Sequence, residues 1–239
     1  MEVKHGDVNR YRAEVEQYIG GKPTCCIIAI DESGGQDWPD AKPYMMLVPA
    51  NITAAQFYYK VKRNGHLHTV ISAITLCGDT LPPLIVIKRL SLDYEVHSTG
   101  LSEGEDIVIV HGPKGYVNGS IMSNWVTDLA IQYVENLRSD KLGAKEEAIL
   151  LMDNFPAHKI DEVLEKLRDA HLQPVFIPPN SSHALQAEDL LTFSVLKSVL
   201  RKANNISAAN IQAEIIQRVV AAADEATTNT GNRSAFKRI

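Results

Sequence analysis

A series of short apolar runs, several rich in β-branched residues and none long enough to span a bilayer, most constrains what this chain can fold into. CCIIAI (25–30), HTVISAITL (68–76), PLIVIK (83–88), IVIV (107–110), AILLM (148–152) and PVFI (174–177) read as buried or half-buried strands. The second and third are joined by Cys77-Gly78-Asp79-Thr80, which predicts a hairpin. After them, strand and helix patterns alternate: IDEVLEKLRDA (160–170) is amphipathic between two strand candidates, and helices are expected over 188–202 and 207–225. A helix is also expected over 8–19, closed by Gly20-Gly21, and another from Ile121 to about Arg138 with Ser120 as its cap. Residues 33–65 read as loops with short strands. A leading antiparallel hairpin followed by strand–helix alternation implies an α/β mixed sheet flanked by helices.

At 239 residues the chain is expected to form a single core over 1–239, with the sheet-bearing part at about 20–203 and a C-terminal helical extension at about 204–239. The net charge of −5 argues against a stand-alone DNA-binding module, whose affinity comes mainly from phosphate neutralisation. Any contact with nucleic acid then falls to local basic patches. YYKVKR (58–63) offers Lys60, Lys62 and Arg63 interleaved with aromatics, and Lys88 and Lys197 add further charge, although such runs are commonly solvated faces. The three cysteines form no CxxC pair, so neither a zinc ribbon nor a disulfide framework is expected. The polar first residues carry no secretory signal, which points to the cell interior and away from a membrane.

Chemistry is expected at three aspartates. Asp31 and Asp153 each follow a strand candidate, and Asp189 lies near the start of a helix after a third. Groups beyond the carboxyl ends of strands meet in one crevice of an α/β sheet. Carboxylates gathered there repel one another unless a cation sits between them, and magnesium suits such hard oxygen ligands. A single aspartate after a strand commonly serves only as a cap or turn residue, so the flanking residues decide the matter.

Those flanks are IAIDESG (28–34), HTVISAITLCGDTLPPLIVIK (68–88), GYVNGSIMSNWV (115–126), ILLMDNFPAH (149–158) and IPPNSSHALQAEDLLTFSVLK (177–197). In this order they resemble the DDE superfamily transposases of the pogo, Tigger, jerky and centromere protein B-like group, and the resemblance covers roughly residues 20–200. It implies a ribonuclease H-like fold with Asp31, Asp153 and Asp189 as the metal-binding and catalytic triad. The 35 residues between Asp153 and Asp189 suit that family. It also implies magnesium, with manganese as a substitute and two ions, DNA as substrate, a nuclear location and action as a homodimer. Family members carry helix-turn-helix modules before the core, which are absent from this sequence, and SAFKRI looks like a segment cut short.

Asn154, His158, His183 and Gln186 match family positions and are candidates for orienting a carboxylate or phosphate, or for packing and turn formation alone. Glu32 is expected to point away from Asp31, since successive strand residues face opposite ways. The family pattern Leu-Gln-Pro-Leu-Asp is here Leu185-Gln186-Ala187-Glu188-Asp189, so a proline is replaced and Glu188 rivals Asp189 as a ligand. Two other readings stand beside the endonuclease: a domesticated, inactive nucleic-acid-binding or chromatin scaffold, and an unrelated metal-dependent phosphoesterase.

Overall fold

The computed structural model describes residues 5–36, 51, 67–143, 145–202 and 211–237. A first helix, α1 (His5–Ile19), leads into the longest strand, β1 (Ile27–Gln36). Two strands follow, β2 (Leu67–Thr75) and β3 (Leu84–Ile87), and then a short helix α2 (Leu92–His97) and strand β4 (Val108–His111). The next helical stretch runs as α3 (Gly119–Trp125), a π-helical segment Val126–Ile131, and α4 (Gln132–Arg138). Strand β5 (Ala148–Met152), helix α5 (Asp161–Asp169) and strand β6 (Leu172–Phe176) form the alternating half. The chain closes with α6 (Ser182–Leu185), a π-helical turn Glu188–Thr192, α7 (Phe193–Lys202), α8 (Ile211–Ala226) and α9 (Asn229–Phe236).

The strands make one six-stranded sheet in the order β4-β3-β2-β1-β5-β6. The hairpin expectation holds: β2 pairs antiparallel with β3 and also with β1, while β5 lies parallel to β1 and β6 parallel to β5. The sheet is therefore mixed and carries helices, as the pattern of runs implies. β4 adds a parallel edge beside β3.

Alternation along β3 shows that both faces of the sheet are covered. Leu84 and Val86 belong to the main core with Trp125, Met122 and Val126, whereas Ile85 and Ile87 pack into a second core with Ile216, Val219 and Val220 of α8. The C-terminal helices are thus part of the folded unit. α9 secures the turn after β2: Asn232 Nδ2 donates to Gly78 O at 3.0 Å and to Thr80 Oγ1 at 2.8 Å, and Arg233 Nε donates to Cys77 O at 2.6 Å.

Several local expectations change. Asp31 sits inside β1 rather than beyond it, because the ladder with β2 continues through Asp31↔Ser72 to Gln36↔Leu67. The cap of α3 is Asn118, whose side chain accepts from Ile121 N at 2.9 Å in an extended conformation, so Ser120 already lies within the helix. β6 begins two residues early and contains Pro174, which is tolerated because β6 is an edge strand. α2 was not foreseen, and α9 lies inside the helical extension expected at about 204–239 but was not separately drawn. Lys60, Lys62 and Arg63, with most of the 33–65 stretch, lie outside the described residues. No helix among the described residues is long and apolar enough to cross a membrane.

Candidate active site

Strand pairing brings the first two aspartates level. β1 and β5 run parallel in the register Ala29↔Leu151, and two positions further along each chain stand Asp31 and Asp153. The third acidic segment is fastened onto the same place by two buried contacts. Gln186 Nε2 donates to Ile30 O at 2.6 Å, and Ser72 Oγ donates to Glu188 Oε2 at 3.3 Å, Ser72 being the β2 partner of Asp31. Gln186 therefore acts as a tether of the chain, a role open in sequence and now given a definite partner.

The electrostatics report the same convergence. Asp31 is only 8% exposed, and burial pushes its carboxyl well above the usual range. The neighbouring charges of Asp189, Glu32 and Asp153 push it further in that direction, and the Glu32 N–H opposes them. Asp189 itself is exposed on the π-helical turn, accessible to solvent and to a ligand. Its rival Glu188 is completely buried and turned inward. Burial and then the charge of Asp31 raise the Glu188 carboxyl well above its ordinary range, as suits a neutral acid. Ala187, in the place of the family proline, has φ −56°, within the range proline itself takes, so the backbone of this turn keeps its course.

Asp153 lives in the opposite field. Burial raises its carboxyl, but the hydrogen bonds from His158 and from Phe155 N–H, with the positive charges of His158 and Lys159, outweigh it and hold Asp153 below its ordinary range. His158 is fully buried. Its Nδ1 lies 2.9 Å from Asp153 Oδ1 and its Nε2 lies 2.8 Å from Glu32 Oε1. Desolvation would lower the imidazole, yet the hydrogen bonds it makes to Asp153 and Glu32, and their charges, push it up to about 10. Both ring nitrogens donate, so the ring is a cation held between two carboxylates.

Of the remaining candidates, Asn154 is a loop fastener: its Nδ2 donates to Ile177 O and its Oδ1 accepts from Lys159 Nζ. His183 is exposed on α6, and Lys88 and Lys197 are exposed, the latter with its Nζ 5.8 Å from the Phe193 ring centre. Two participants were not foreseen. Ser72 could be recognised only once the β1–β2 register was known. Glu32 does face away from Asp31, but the face it takes is the one on which His158 waits. Glu32, Asp153 and His158 have polar atoms all within 4.8 Å of one another.

Oxygen donors of this kind fit a hard divalent cation. Asp31 is a buried carboxyl that feels the charges of Asp189, Glu32 and Asp153, and that repulsion is what a cation would relieve.

The fold has counterparts. The chain aligns over its whole length with the Mos1 transposase in a paired-end complex with the left transposon end, at a TM-score of 0.61 and 14% identity, and covers 61% of that chain. It matches the Mos1 transposase catalytic domain with raltegravir and manganese at 0.54 and 15%, covering 93% of it. At such identities the likeness is one of fold, and that fold is ribonuclease H-like. The chain spans about three fifths of the length of the Mos1 chain in the paired-end complex. A curated Arabidopsis thaliana protein, autophagy-related protein 8b, is 27% identical over 97 residues, 41% of this chain and 72% of that protein, which is too little of the chain to bear on its family. The family described as DDE superfamily endonuclease matches residues 64–234, a stretch that contains two of the three aspartates and every described strand but β1. That match, over most of the chain, assigns it to the DDE superfamily endonucleases.

Proposed function

We propose that this chain is the catalytic core of a transposase-type DNA endonuclease in which Asp31, Asp153 and Asp189 hold divalent metal ions, two in the full reaction. The observation that carries the reading is the convergence at Asp31: a buried carboxylate in the central strand, pushed up by burial and by the charges of Asp189, Glu32 and Asp153. Bound magnesium or manganese supplies Lewis acidity toward a scissile phosphate and a water of lowered pKa. The protein's own share is placement. Supporting this, Asp31 and Asp153 stand at matching positions of the β1–β5 pair, Gln186 ties the third segment to β1, and Asp189 is exposed to a ligand.

DNA as the substrate, action as a homodimer and a pogo-like subgroup belong to the same proposal, and so does a nuclear location. The transposon end carried by the Mos1 complex supports the first of these. The altered third motif, which favours an inactive scaffold when read as sequence, loses weight here. Glu188 is buried toward Ser72, and Ala187 keeps a backbone that proline could adopt.

The test is nicking of supercoiled plasmid in magnesium or manganese. The expected result is metal-dependent nicking that Asp31→Asn removes. A folded wild-type chain that leaves plasmid intact in both metals contradicts the endonuclease reading and leaves the scaffold.

A further inference from the structure

Glu32 touches the site in two ways. Its backbone N–H donates to Asp31 Oδ1 at 2.8 Å, and its carboxylate Oε1 accepts from His158 Nε2 at 2.8 Å. The other ring nitrogen, Nδ1, reaches Asp153 Oδ1 at 2.9 Å, and the Phe155 N–H donates to the same oxygen at 2.8 Å. Nδ1 also lies 3.3 Å from the Asp153 backbone O, and among the described residues the side-chain contacts of both aspartates fall on Oδ1. Oδ2 of both is left for another partner.

We infer that Glu32 is a positioning residue that, through His158, fixes the rotation of Asp153 so that Oδ2 alone faces the cation. The inference rests on the proposed metal site and deepens it. A carboxylate is free to rotate about its last bond and to offer either oxygen or both. Two donors on Oδ1 remove that freedom, and a one-oxygen ligand leaves coordination positions for waters and substrate phosphate, as magnesium requires. His158 is fully buried and the Glu32 side chain is 13% exposed, so water competes poorly for the pair. The Phe155 ring lies edge-on to His158, with centroids 5.6 Å apart, and closes the imidazole from a further side.

A nearby alternative is that Glu32, His158 and Asp153 themselves chelate a metal. Nε2 faces Glu32 Oε1 at 2.8 Å, and Nδ1 faces Asp153 Oδ1 at 2.9 Å and the Asp153 backbone O at 3.3 Å, so a metal held by these three would have to displace those contacts. Variants that change reach separate from variants that change charge. Glu32→Asp shortens the side chain by one methylene and withdraws it from Nε2. Glu32→Gln keeps the reach and an accepting oxygen.

The experiment is manganese binding to the whole chain by calorimetry, with melting of each metal-free variant as a check of folding. Glu32→Asp is expected to weaken binding about tenfold, the lower end of the usual effect of such supporting residues. Glu32→Gln is expected to bind close to wild type. His158→Gln is expected to weaken binding, and adding Glu32→Asp to it to give no further loss, since the two act in series.

Wild-type affinity in Glu32→Asp overturns the inference, as does a melting temperature that falls while affinity holds. Loss of binding in Glu32→Gln as complete as in Asp153→Asn makes Glu32 a ligand and also overturns it. If the folded wild-type chain binds no manganese, the metal-site reading fails first and this inference falls with it.

Discussion

His158 carries the sharpest consequence at the scale of single residues. A buried imidazolium between Asp153 and Glu32 is pushed up to about 10, well above its ordinary 6.5. A raised basic group stabilises the fold fully below its unfolded value and loses that contribution as pH rises through its folded value. Metal-free protein should therefore lose stability between about pH 6.5 and 10, and urea melts across that range will show it. In His158→Gln the slope should flatten. Near pH 7 the substitution should cost about 2 kcal/mol, less than removal of a partner from a wholly buried ion pair because both carboxylates keep some exposure. A variant that keeps the wild-type slope would place the titration elsewhere.

Asp31 and Asp153 were singled out in the sequence by their flanks, IAIDESG and MDNFPAH. Glu32 was set aside on the correct premise that it faces away from Asp31. The premise could not reveal its partner, because Glu32 and His158 are 126 positions apart and meet only through the β1–β5 pairing.

Among the elements, the strands were read most closely and the helix ends least. Strand runs such as AILLM declare themselves by continuous burial, every residue of β5 being buried. Helix limits depend on single side chains: Asn118 and Ser120 are both good caps by type, and only backbone conformation chose the former. α2 was missed and α9 was not drawn as a separate helix; the latter is polar and short, with little periodicity to mark it. It nonetheless anchors the β2–β3 turn. Asn232 is wholly buried and its Nδ2 is shared among Gly78 O, Asp79 O, Thr80 Oγ1 and Thr227 O. Asn232→Ala removes this shared donor, leaving Gly78 O buried without it while Asp79 O keeps Thr75 N–H and Thr227 O keeps the Thr80 hydroxyl, and should cost about 1 kcal/mol in urea unfolding. A loss within error of zero would show that the turn stands without the clamp.

For the whole molecule, the second core explains why the C-terminal helices belong to the fold. Val70, Ile85 and Ile87 on the sheet, with Ile107 just before β4, pack with Ala213, Ile216, Val219 and Val220 of α8. This was only half legible: the helix pattern over 207–225 announced an apolar face, but composition does not say which surface receives it. Ending the chain at residue 210 should bare that face. The truncated protein should bind anilinonaphthalene sulfonate and lose its near-ultraviolet circular dichroism while keeping far-ultraviolet signal. A truncated chain with native near-ultraviolet signal would contradict this assignment of the second core.

The central claim is that β1, β5 and the Gln186-tethered segment bring Asp31, Asp153 and Asp189 together to hold a divalent cation. The most direct test is a manganese titration of the purified chain by calorimetry, beside Asp153→Asn, Asp189→Asn and Glu188→Gln. The account predicts saturable binding in wild type, its loss in both aspartate variants, and its retention in Glu188→Gln, because that acid is buried and faces Ser72. Absence of binding in a folded wild-type chain, or loss in Glu188→Gln with retention in Asp189→Asn, would contradict it.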